Sequence, residues 1–214
     1  MFFNWTIIKH MTNPSEEDQL AAVQKNWLAI EYIENPSKKI QLAAVQENWE
    51  AIRYIQDPSE EIQFAAVREN WKSIEHIKNP TESVQLAVVK KYLSAIEYIK
   101  NPTESVQLAA VQKSWLAIEY IENPSKKIQL AVVQENWEAI RYIENPSEEI
   151  QFAAVWENLY AIKYIKNPSE SVQLAVVKMY CCIDNFTHWL EDKEMISFFK
   201  GVSPCIANHV CLLW

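Results

Sequence analysis

The chain has 214 residues, of which 49% are hydrophobic and 22% charged, and a formal net charge of −8. That apolar fraction excludes an intrinsically disordered chain, and the acidity counts against a protein that tracks a phosphate backbone, which needs a Lys/Arg-rich face. The four cysteines, Cys181, Cys182, Cys205 and Cys211, stand near the C-terminal end, so no disulfide framework organises the chain.

Residues 1–12 look irregular until laid on the chain one period later, where Asn4, Trp5, Ile8 and Met11 fall on Asn26, Trp27, Ile30 and Ile33. They form a half repeat, expected to be a short helix covering the first full unit. Neither a basic n-region nor a long apolar stretch marks a secretory leader here. No apolar run reaches the roughly 18 residues of a membrane span. A cytoplasmic protein without membrane partners is the expectation.

From residue 13 to 188 a 22-residue phrase recurs eight times without insertion or deletion, opening at Asn13, Asn35, Asp57, Asn79, Asn101, Asn123, Asn145 and Asn167. Position numbers below count from this residue. A fixed short period means repeats stacked along one axis, so one continuous array is expected. Asn as N-cap, Pro as first helical residue and Glu at position 4, as in Asn13-Pro14-Ser15-Glu16, predict a capping box and the start of helix A. In the second copy helix A should run from Pro36 to about Glu47, with Ile40, Leu42, Ala43, Ala44 and Val45 as a broad apolar face.

The Asn at position 14 (Asn26, Asn48, Asn70, Asn136, Asn158) suits a left-handed C-cap, since the chain has a single glycine. Helix B follows, about seven residues such as Trp49 to Ile55, with Trp49, Ala51, Ile52, Tyr54 and Ile55 expected inward. So short a helix is stable only when packed on its neighbours. The fold class is therefore all-α: a right-handed α-solenoid of eight two-helix repeats with an N-terminal half repeat and a C-terminal cap.

The phrase N-P-S-E-E-I-Q-L-A-A-V-x-E-N-x-x-A-I-x-Y-I, over about residues 4–188, resembles the short helical repeats of a domain of unknown function found in giant-virus and protist proteins. The resemblance implies a viral or protist setting and carries no catalytic residues. A second order lies above it. Copies 2 and 6 differ only at Ala44 versus Val132 and Gln56 versus Glu144, and copies 1, 3 and 4 likewise resemble 5, 7 and 8, so an 88-residue block is duplicated.

After Val177 the phrase decays, and residues 189–214 read as a capping segment: an amphipathic piece from Leu190 to Lys200, then an apolar tail. A homodimer surface on that tail is the competing reading. Cys205, His209 and Cys211, with Cys181, Cys182 and His188, lack a C-x2-C pair, so buried thiols are expected rather than a zinc site.

Gln recurs at position 7 in every unit: Gln19, Gln41, Gln63, Gln85, Gln107, Gln129, Gln151 and Gln173. A buried ladder hydrogen-bonded between repeats is expected, with an exposed recognition row as the alternative. Opposite charges at positions 4, 5 and 19 of adjacent copies, such as Glu16-Glu17 before Lys38-Lys39 and Glu31 before Arg53, predict ion pairs between repeats.

No catalytic constellation, cofactor motif or metal set can be assembled. His10 and His76 stand at the Tyr position of helix B as packed aromatic substitutes. Recognition is expected where copies disagree. Trp156 replaces Gln, Arg or Lys, and Leu159 and Tyr160 follow it; Leu28 and Leu116 are weaker apolar candidates. Trp156 could instead tuck inward to compensate for the Trp missing at 159. The expected function is non-catalytic protein binding, with acidic mimicry of nucleic acid as the alternative.

Overall fold

The computed structural model describes residues 5–181, and among them every regular element is helical. The chain divides into two compact units, Met1–Lys113 and Ser114–Trp214. Unit 1 holds 3-10 helices η1 (Trp5–His10), η2 (Trp27–Tyr32), η3 (Trp49–Tyr54), η4 (Trp71–His76) and η5 (Leu93–Tyr98). They alternate with α1 (Glu16–Lys25), α2 (Lys38–Glu47), α3 (Glu60–Glu69), α4 (Glu82–Lys91) and α5 (Glu104–Lys113). Unit 2 holds η6 (Trp115–Tyr120), η7 (Trp137–Tyr142) and η8 (Leu159–Tyr164), with α6 (Lys126–Glu135), α7 (Glu148–Glu157) and α8 (Glu170–Cys181). Within each unit the two-helix repeats stack as an all-α solenoid. The C-terminal segment 189–214, its proposed dimer surface, and Cys182, His188, Cys205, His209 and Cys211 lie outside the described residues, as does the side chain of Cys181.

The start of helix A differs from the expectation by two residues. The cap is Ser or Thr at position 3: Asp18 N–H donates to Ser15 Oγ and Ser15 N–H donates back to Asp18 Oδ2, each at 3.2 Å. The opening Asn takes another role. Asn13, Asn35, Asp57, Asn123 and Asn145 have φ of 53°, 49°, 49°, 49° and 50°, the left-handed region. Two facts favour this arrangement: a residue before proline is pushed away from the right-handed helix, and Asn and Asp tolerate the left-handed well better than other non-glycine residues. Proline then precedes the cap, and its carbonyl is left free to accept a side-chain bond.

The Asn at position 14 corrects the second expectation. Asn26, Asn48, Asn70, Asn136 and Asn158 are extended, with φ between −150° and −157°. Each serves both helices. The backbone N–H of Asn48 donates to Ala44 O at 3.0 Å, closing helix A, while its Oδ1 accepts from Glu50 N–H at 2.9 Å, opening helix B. A side chain that bonds its own backbone two residues on is a standard Asn behaviour. No glycine is needed, because the chain turns the corner through an extended residue.

Helix B is a six-residue 3-10 helix rather than a seven-residue α-helix. With three residues per turn, side chains three apart eclipse, so Trp49, Ile52 and Ile55 form one row and Ala51 and Tyr54 the next. Ala51 and Ile52 are buried, whereas Tyr54 is 41% exposed and Trp49 half-buried. The core is thus Ile, Val and Ala: Ile40, Ala44 and Val45 from helix A meet Ala51, Ile52 and Ile55 from helix B.

One repeat breaks this rule. Ser73 replaces the buried Ala of Ala29, Ala51 and Ala95, and its Oγ is buried with no hydrogen-bond partner. An orphaned buried hydroxyl costs about 1–3 kcal/mol. Ser73→Ala should therefore raise stability by about 1 kcal/mol, measured as a higher urea midpoint with unchanged slope; a lower midpoint would refute the orphan assignment.

Candidate protein-binding surfaces

Helix A cannot bury all its apolar residues, because positions 6, 10 and 11 already face the core. Position 8 is left over. Leu20, Leu42, Phe64, Leu86 and Leu108 in unit 1, and Leu130, Phe152 and Leu174 in unit 2, are half-buried and make an apolar row on the outer face of helix A in each unit. Between α2 and α3 this row sinks into a groove of about 530 Å³ lined by Leu42, Phe64 and Ala65, with Gln46, Glu60, Glu61, Arg68 and Glu69 as its polar wall. In register 88 residues on, Leu130, Phe152 and Ala153 repeat, and Trp156 stands where Arg68 stood.

Trp156 is 74% exposed on α7, which removes the reading in which it fills space left by the missing Trp at 159. Leu159 is half-buried at that position. Tyr160 is 38% exposed on η8, with Lys163 Nζ 4.9 Å from its ring centre. No ring contact joins Trp156 to Tyr160. Leu116 is 44% exposed and Leu28 half-buried.

A second, aromatic row follows helix B. The Trp of one repeat meets the Tyr or His of the next: Trp27 with Tyr54 at 6.2 Å, Trp49 with His76 at 6.0 Å and Trp71 with Tyr98 at 5.6 Å in unit 1. In unit 2 Trp115 meets Tyr142 at 6.3 Å and Trp137 meets Tyr164 at 6.0 Å. His76 is a stacked aromatic substitute as expected, and His10 is exposed. Cations cap the row, with Lys9 3.8 Å from the Tyr32 ring centre and Arg141 4.6 Å from that of Tyr164. Treating Trp and Tyr as core residues hid this row; the signal available in the sequence was the 3-residue spacing of Trp, Ile and Ile.

The glutamine series is half what was expected. All eight amides donate to a carbonyl of their own repeat, the proline five residues back, at 2.7–3.0 Å. None is exposed, but only Gln63, Gln85 and Gln151 are fully buried. Bonds to the next repeat form at two: Thr81 N–H donates to Gln63 Oε1 and Ser169 N–H to Gln151 Oε1, both at 2.9 Å. These two follow turns at Asn79 and Asn167 that stay out of the left-handed region. Asn101 also stays out of that region, yet Gln85 Oε1 has no partner.

Charges at the helix A starts do pair between repeats. Lys39 meets Glu16 at 3.9 Å, Lys38 meets Glu61 and Lys126 meets Glu149. More than half of each side chain is exposed, so each pair contributes about 0–1 kcal/mol. Where Glu stands at position 4, the next cap hydroxyl donates to it, as Ser37 does to Glu16 at 2.6 Å and Thr81 to Glu60 at 2.8 Å. The hydroxyls of Ser171 and Ser169 hold the Glu148 carboxyl below the ordinary carboxylate range. Position 19 departs from expectation: Arg141 pairs within its own helix, with Glu138 at 3.0 Å, because a three-residue turn places the two side by side.

Among the described residues no three His, Cys, Asp or Glu side chains cluster as a metal site, and no helix is long and apolar enough to cross a membrane. Compared with family models, curated proteins and solved structures, the chain finds no match in any of the three. What stands is an all-α repeat scaffold of stacked two-helix units.

Proposed function

We propose that this chain is a non-catalytic binding scaffold that docks a protein partner on the outer face of helix A in unit 2, with Trp156 as its anchor. The observation that carries the proposal is the 74% exposure of Trp156 beside the Leu130 and Phe152 row, on a helix anchored by buried Ile150, Ala154 and Val155. Tryptophan is the residue most enriched among energetic hot spots. A rigid helix presents it at little entropic cost. The resemblance of the repeat phrase to giant-virus proteins suits a viral factor that engages a host protein in the cytoplasm, and that setting is part of the proposal.

The test immobilises the full chain and its Trp156→Ala variant before extracts of the natural host. A partner retained by the first should be lost by the second, with affinity lowered about 30-fold or more, while the melting temperature is unchanged because the ring touches solvent. The same partners held with the same affinity would end the anchor assignment.

A further inference from the structure

The turns between repeats open a second kind of groove. In unit 1 a cavity of about 470 Å³ lies between the turns at Asn79 and Asn101. Its lining includes Lys78 and Lys100, with Glu75, His76, Tyr98 and Gln85. Lysine at position 22 of two successive repeats is local to this site, since Glu34, Gln56, Glu122 and Glu144 fill that position in other copies and Lys166 stands between Glu144 and His188. In a chain of net charge −8 the groove therefore gathers two cations against one carboxylate. Neither lysine forms an ion pair among the described residues.

The lining amide is the second observation. Gln85 is 5% exposed, and its Nε2 donates to Pro80 O at 2.8 Å, but its Oε1 is buried without a partner. The matching atoms of Gln63 and Gln151 are satisfied by backbone N–H groups of Thr81 and Ser169. Thr103 does not supply the equivalent bond. A buried carbonyl without a donor is costly, so a bound chain that brings an N–H gains by filling it. A groove of the same kind in unit 2, about 310 Å³ beside Asn145 and Asn167, gathers Arg141 and Lys166 against Glu144, but there Gln151 is satisfied and Arg141 is engaged by Glu138 and Tyr164.

We infer that the groove between the Asn79 and Asn101 turns binds an extended acidic peptide, its carboxylates set between Lys78 and Lys100 and a main-chain N–H donated to Gln85 Oε1. A free lysine pair selects the charge, and the orphaned carbonyl selects a backbone rather than a bare anion. The site rests on the protein-binding reading only in taking a peptide as its occupant. It lies in a different unit from Trp156, so Trp156→Ala leaves it intact and the two can fail separately.

The experiment titrates the full isotope-labelled chain with a short capped oligo-glutamate peptide and follows side-chain amide resonances. Those of Gln85, Asn79 and Asn101 should shift and saturate, and added salt should weaken the effect. An oligo-glutamine peptide of equal length should shift none of them. Lys78→Glu with Lys100→Glu, both exposed, should weaken binding about 10-fold or more, while Lys25→Glu with Lys90→Glu, an equal change of net charge, should not. The inference is overturned by an unmoved Gln85 amide, by oligo-glutamine binding equally well, by the control pair losing as much, or by a short oligothymidylate binding the same lysines more tightly.

Discussion

Gln151→Leu should destabilise the protein by about 2–4 kcal/mol, whereas Gln129→Leu, at the same position one repeat earlier, should cost about 1 kcal/mol. Both lose the amide bond to proline, at 2.9 Å in each case. Of the two, Gln151 alone also accepts from the next repeat, and its removal strands two half-buried backbone groups, Pro146 O and Ser169 N–H. Gln129 is half-buried, so water replaces part of what is lost. Urea unfolding of the two variants measures the difference. Equal losses would show that the bond between repeats contributes nothing.

Two side chains of a single turn of η3 should behave just as differently. Ile52→Ala should cost about 3 kcal/mol, as a 1% exposed isoleucine leaves a cavity its neighbours cannot fill. Tyr54→Ala should cost about 1 kcal/mol, because Tyr54 is 41% exposed and contributes chiefly its ring contact with Trp27. Thermal or urea unfolding reads both. A Tyr54 loss as large as that of Ile52 would put the ring back in the core, where the apolar pattern alone places it.

That pattern shows why part of the molecule is legible in the sequence. The 22-residue period, the helical class and the Ile, Val and Ala core follow from spacing. The caps do not, because Asn-Pro-Ser-Glu contains two good N-caps, Asn13 and Ser15, and local chemistry cannot rank them. With Ser15 as the cap, the Pro14 carbonyl is free to accept from the Gln19 amide at 3.0 Å. Trp156 is visible as a departure from its copies, but whether it turns in or out depends on the space left by Leu159. The Lys78 and Lys100 groove was hidden for another reason: both residues are ordinary surface lysines until the turns bring them to one cavity.

The glutamine bonds that reach the following repeat fall at the third and seventh units, inside each duplicated block. Gln85 and Gln173, the last glutamines of their blocks, keep their carbonyls unfilled, so no such bond crosses the seam at Asn101. All other amide bonds of the series close inside one copy. A four-unit cassette could therefore be gained or lost in frame at that seam without cutting a single glutamine bond.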